Sequence, residues 1–204
     1  MKYEKAYLES LLEFSKKDPA LMAELAGGVC PGGDSVEISF MGQLCRVAHP
    51  DGKIELPAWP DLHHEEQILI LQYLAGASGL PCRSSWLSFL DLPGGPHHFV
   101  PFQKEALIPL AKAFANQPHS FLPAAKSLGG VQIDLGHLGA VLPVFPRLPL
   151  AVLLWTGDDE FPASANILFD AVAQTYLSTA SLYVLGIAAA KRMVGAAAAE
   201  WRLG

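Results

Sequence analysis

The 204-residue sequence predicts an α+β fold, with antiparallel β-meanders packed against helices and a helical C-terminal segment. Two periodicities carry that expectation: apolar residues alternate at period two in stretches such as SVEISF, and recur at helical spacing in others. The strand runs and helix runs are segregated rather than strictly alternating, which favours α+β over a doubly wound parallel sheet. With 51% apolar residues the chain can bury a full core, and no repeat or linker divides it. A single domain spanning 1–204 is expected: 1–33 an N-terminal helix and loop, 34–163 mainly sheet with helices, and 164–204 C-terminal helices.

Tyr7, Leu8, Leu11 and Leu12 recur at helical spacing, and Asp18-Pro19 ends or breaks that first helix. After the GGVCPGG loop, SVEISF, QLCRVA and KIEL read as three strands, the last two joined by a His49-Pro50-Asp51-Gly52 turn. From His63 the period becomes helical, with Glu65 and Glu66 in the first turn, where acids complement the helix dipole. RSSWLSFLDL reads as strand, PGGPHH as a loop, and Gln103 to Ala115 as a helix that Pro109 could kink. GGVQIDL, LGAVLPVF and LPLAVLLW then read as three successive strands, with helix resuming near Ser164. The apolar tract Tyr176 to Ala190, stopped by Lys191 and Arg192, is expected to be a buried helix, since it is shorter than the roughly 20 residues a membrane span requires.

Fourteen Lys and Arg against twenty Asp and Glu give a net charge of -6, which argues against a nucleic-acid partner because a phosphate-backbone binder needs a basic stripe. Charges scattered through MKYEKAYLESLLEFSKKD leave no room for a secretory signal, and a cytoplasmic protein with no membrane partner is expected. Cys30, Cys45 and Cys82 form no CxxC pair, which fits reduced thiols rather than disulfides or a cysteine zinc site.

The stretch WTGDDEFPASANILFD concentrates the acids. With Pro162 near a helix start, Asp158, Asp159 and Glu160 would cap amides and balance the dipole, as acids commonly do. Their alternative is a ligand site: Asn166 and Asp170, four apart, would share a helix face and converge with the acidic loop on a hard divalent cation. A second metal reading draws one histidine from His63 and His64 and another from His97 and His98, with a carboxylate from the acidic loop. Asp134 and His137 flank Gly136 in a hairpin and could form an acid–base pair, though turns also use such residues for ordinary hydrogen bonds. Neither glycine-rich loop carries a P-loop ending, and Ser84-Ser85 lacks the context of a nucleophile elbow. Trp59, Trp86 and Trp155, beside Pro, Ser or Gly, could line a pocket for a flat cofactor or serve the core.

The motifs WLSFLDLPGG, LGG at Leu128 to Gly130, FPRLPLAVLLWTGDDEFPA and NILFD together resemble an uncharacterised family, domain of unknown function number 3786 of anaerobic bacteria and archaea. The resemblance covers Val36 to the C-terminus and is most specific over Phe145 to Asp170. Some members of that family resemble fusions to a cysteine-rich iron–sulfur module, which implies work near redox or one-carbon cofactor chemistry. The three scattered cysteines here match no cluster motif, so no self-contained iron–sulfur cluster is expected.

These readings converge on an accessory or ligand-binding domain. Its pocket would lie where the acidic loop meets PGGPHH, with Trp86 and Trp155 as walls and Asp158, Asp159, Glu160, Asn166 and Asp170 as polar contacts. The alternatives are a divalent-metal hydrolase built from the same acids and histidines, and an interaction module forming a homodimer or binding a protein partner through the C-terminal helix.

Overall fold

The computed structural model describes residues 2–59 and 62–201. Helix α1 (Lys2–Ser15) packs on α3 (His64–Gly76). The packed face is Ser10 and Phe14 with half-buried Tyr7 and Leu11, the i, i+3, i+4, i+7 stripe. Leu8 and Leu12, expected on that stripe, stand outside it at 57% and 53% exposure. Asp18 starts α2 (Pro19–Ala26), three residues past the end of α1: its Oδ1 accepts the Leu21 amide hydrogen at 2.8 Å, and Pro19 takes the first position, where a missing N–H costs nothing.

Strands β1 (Ser35–Phe40), β2 (Gln43–Ala48) and β3 (Ile54–Glu55) form the expected antiparallel meander. A second antiparallel sheet holds β4 (Trp86–Ser88), β5 (Val131–Ile133), β6 (Leu138–Phe145), β7 (Leu148–Trp155) and β8 (Ser164–Asp170) in the order β4-β8-β7-β6-β5. Leu150 to Leu154 of β7 are all buried, so both faces of this central strand are covered. The β6–β7 register shifts between Leu142 and Phe145, around Pro143, which cannot donate to the ladder. With helices packed on these two antiparallel sheets, the class is α+β.

Several expected boundaries move. Ser164 to Asp170 is a strand, not the start of the C-terminal helices: Ile167 and Phe169 alternate into the core, and β7 pairs with β8 from Trp155↔Ser164 to Leu150↔Phe169. Only Trp86 to Ser88 of the expected RSSWLSFLDL strand pairs, because Phe89–Asp91 turns as 3₁₀ with Asp91 accepting from the Ser88 amide at 2.8 Å and its hydroxyl at 2.6 Å. PGGPHH is not a loop but the start of α4 (Gly95–Phe102): Gly94 caps it at φ 75°, and a Cβ at Gly95 would collide with the Phe89 carbonyl. Beyond α4 a π-helical turn at Gln103–Leu107 bonds the Ile108 amide to the Gln103 carbonyl, and α5 (Ile108–Ala115) continues past Pro109, which has no N–H to lose. The α6 helix (Phe121–Ser127) then leads into β5.

The C-terminal helix α7 (Thr179–Trp201) runs through Lys191 and Arg192 rather than stopping at them. Thr179–Ala198 is long and apolar enough to cross a membrane by length and composition, yet half of that window is buried against the protein itself, chiefly α3, α5 and α6. Its partners show it to be a helix of the core. Tyr73 of α3 ties the halves of the core together: its ring stacks on Phe145 at 4.1 Å, its hydroxyl donates to the Ala26 carbonyl at 2.7 Å and accepts the Arg147 amide hydrogen at 3.1 Å. Arg147 itself donates to the carbonyls of Gly79 and Glu24, the latter in the last turn of α2, where a cation complements the helix dipole.

Candidate functional site

The acidic stretch caps no helix, since it forms the tip of the β7–β8 hairpin. Asp158 Oδ1 accepts the amide hydrogens of Phe161 at 2.7 Å and Glu160 at 2.9 Å, and those two bonds hold its carboxyl below the usual range. Asp158, Asp159 and Glu160 all project into solvent. Trp155 pairs opposite Ser164 and Trp86 opposite Asp170, the two ends of β8, about 20 Å apart along an extended strand. The two tryptophans therefore do not wall one pocket.

Asn166 and Asp170 do share a face, that of a strand rather than a helix. Asn166 Oδ1 accepts the next amide hydrogen, from Ile167, at 2.9 Å. Asp170, 1% exposed, takes the amide hydrogens of Arg83 (3.0 Å), Ser84 (2.8 Å) and Val172 (2.9 Å). A carboxylate so engaged is a structural knot that fastens the chain before β4 to the end of β8.

His63 is the N-cap of α3 with His64 beside it, His97 and His98 sit in the first turn of α4, and all four are exposed. Among the described residues no three His, Cys, Asp or Glu side chains converge to hold a metal ion. His137 turns to Thr156, accepting its amide hydrogen on Nδ1 at 3.1 Å, and makes no hydrogen bond with Asp134 among the described residues.

The cysteines are separate as well: Cys45 is buried, Cys30 half-buried and Cys82 exposed. Burial pushes the Cys45 thiol up from 9.0 to about 12, while partial burial and then the Asp170 carboxylate raise Cys82. Below pH 9 Cys45 is neutral folded or unfolded; above it only the unfolded thiol ionises, so its contribution to stability is lost as pH rises from 9 towards 12. Thiol labelling of the native protein at pH 8 should modify Cys82 and Cys30 before Cys45, with Cys45 reacting only at the rate of opening.

A concave site lies elsewhere, a cleft of about 620 Å³ whose floor is α7. Tyr183, Ile187, Lys191 and Gly195 form one row, with Val184, Ala188, Arg192 and Ala196 beside it, each row stepping by four so that both face the same way. These rows run about 20 Å along the helix. One wall is Trp59 with His63, Glu65 and Glu66 at the start of α3; across the floor lie Glu105 of the π turn and the end of α6.

Glu66 and Arg192 organise this cleft. Arg192 donates from Nε to Oε1 at 2.8 Å and from Nη2 to Oε2 at 2.6 Å, a bidentate pair whose side chains are 4% and 20% exposed on the Glu66 and Arg192 sides. The second Glu66 oxygen also accepts the His63 backbone amide hydrogen at 3.2 Å, which closes the first turn of α3. The guanidinium carbon lies 4.1 Å from the Trp59 ring centroid, a cation–π contact, and Phe40 meets the same indole edge-on at 6.0 Å. Further along, the Tyr183 hydroxyl donates to Glu105 Oε1 at 2.8 Å; burial and then that carboxylate push its pKa up to about 12.

Of the residues expected to form a site only His63 lines this cleft, together with Trp59 from the tryptophan reading. Glu66, Arg192, Tyr183 and Glu105 escaped sequence reasoning because their partners are remote in the chain. The one local signal was a basic pair inside an otherwise apolar helix. No curated protein and no solved structure matches the chain. A family model does match, over residues 18–192, from the α2 cap to the cleft arginine. The chain belongs to the family described as Domain of unknown function (DUF3786).

Proposed function

We propose that this chain is a ligand-binding accessory domain that holds a small organic molecule in the cleft between α3 and α7. The observation that supports the reading is the cleft itself: about 620 Å³, an apolar floor on α7, and a few oriented polar groups gathered around Arg192. Small-molecule sites are commonly concavities of roughly 300 to 1,000 Å³ with that make-up. The setting we propose is cytoplasmic and, following the family resemblance, in anaerobic redox or one-carbon cofactor metabolism. A metal-dependent hydrolase would need ligands that the described residues do not bring together.

A cleft-filling substitution tests this reading. Gly195 lines the cleft, and a Cβ built on it meets nothing within 4 Å, so Gly195→Trp can occupy the cavity without distorting the helix. The uncharged dye N-phenyl-1-naphthylamine is expected to gain fluorescence with the wild type and to lose most of that gain with Gly195→Trp, the circular dichroism of the two being alike. Equal fluorescence from both proteins, or none from the wild type, overturns the assignment.

A further inference from the structure

We infer that the cleft selects an organic anion, its oxyanion head seated on the outer edge of Arg192 and its apolar or aromatic body laid along α7. The inference rests on the ligand-binding reading above and adds the chemistry of the ligand. A guanidinium carries five N–H donors in a planar fork. Glu66 occupies one edge, through Nε and one Nη2 hydrogen. The other edge, formed by Nη1 and the second Nη2 hydrogen, has no partner among the described residues, and it has the spacing for a second bidentate contact with a carboxylate or phosphate.

That edge is held in place before any ligand arrives. Trp59 fixes the plane of the guanidinium from one side and Glu66 fixes its rotation, so little side-chain entropy remains to be lost on binding. Lys191, adjacent in the chain and lining the same cleft, adds a positive charge that no described carboxylate pairs. Glu65, one residue before Glu66, lines the same wall and partly offsets it. The opposite end is acidic, with Glu105 and its Tyr183 hydrogen bond about 13 Å along α7 from Arg192. An anion is repelled there and drawn to the Arg192 end, which sets the direction in which the ligand lies. Between the two ends Val184, Ile187 and Ala188 offer an apolar bed.

Two dyes with the same aromatic body separate the anion from the body. 1-Anilinonaphthalene-8-sulfonate carries a sulfonate oxyanion, and N-phenyl-1-naphthylamine lacks it. Replacing both partners, Glu66→Gln with Arg192→Met, removes the two charges together and is expected to weaken the sulfonate dye about tenfold more than the neutral dye, the worth of one charge-assisted contact. Glu66→Gln alone leaves the guanidinium uncompensated and should tighten the sulfonate dye. Lys191→Gln, at an exposed position, should weaken it about threefold even if the double variant folds poorly.

Head-group chemistry follows from displacement of the sulfonate dye. Preferential displacement by 1-naphthoate assigns a carboxylate, and by 1-naphthyl phosphate a phosphate; equal displacement by uncharged 1-naphthalenemethanol overturns the inference. Parallel shifts of both dyes in every variant overturn it too. Because the neutral dye and Gly195→Trp report on the cleft alone, a wild type that binds the neutral dye in the cleft without any dependence of the sulfonate dye on Arg192 or Lys191 refutes the anion and leaves the ligand-binding reading standing.

Discussion

Asp170→Ala is expected to lower the unfolding free energy by about 4 kcal/mol, measured by urea denaturation, because the amide hydrogens of Arg83, Ser84 and Val172 lose their acceptor together. Each stranded donor costs about 1 to 3 kcal/mol when water cannot reach it. The Val172 amide is the most enclosed of the three, while the Arg83 and Ser84 amides lie nearer solvent and recover part of their loss. Asp170→Asn should recover only part of the loss, since its amide oxygen can still accept from Arg83 and Val172 while its nitrogen is turned towards the Ser84 donor. Asp159→Ala, at the exposed hairpin tip, is the control and should stay within about 0.5 kcal/mol of the wild type. If the two variants were equally mild, Asp170 would not be the knot between β4 and β8.

The second large effect is at the cleft. Arg192→Met alone is expected to destabilise by about 3 kcal/mol, because Glu66, at 4% side-chain exposure, keeps its charge and loses its partner. The estimate sits at the low end for a buried pair since Arg192 retains 20% exposure. Adding Glu66→Gln should return most of that loss, because removing both charges spares the uncompensated carboxylate. Additive losses in the double variant would show that the two residues do not stabilise each other. Trp59 fluorescence should change with Arg192→Met, which takes the guanidinium off its ring.

The same side chains explain what the sequence disclosed and what it withheld. SVEISF and the two long apolar runs after Gly130 were legible as strands because their patterns do not depend on which neighbour they meet. SANILFD was misread because Pro162 imitates a helix start, and the alternation of Ile167 and Phe169 is too short to outvote it; pairing with β7 settled the matter. PGGPHH looked like a loop since glycines usually mark one, whereas Gly95 is there because α4 begins hard against the Phe89 carbonyl.

The site was less legible than the fold. Consecutive acids and paired histidines draw the eye, yet charges adjacent in sequence tend to diverge in space or remain in solvent, as Asp158, Asp159, His97 and His98 do. Glu66 and Arg192 meet across 126 positions, and nothing local announces such a pair except a charge retained in an apolar helix. Lys191 and Arg192 read as the end of α7 when they are the polar part of the face that lines the cleft. Trp59 was singled out as an aromatic beside proline, and its value depends on the guanidinium that lies across it.

The central claim, that α7 floors a ligand site keyed to Arg192, is tested most directly by a crystal structure of the protein with bound 1-anilinonaphthalene-8-sulfonate. The account predicts the sulfonate within hydrogen-bond distance of Arg192 Nη1 and the naphthalene over Val184 and Ile187. A dye seated instead on the exposed apolar face of α1 at Leu8 and Leu12, with the α7 cleft empty, would contradict it.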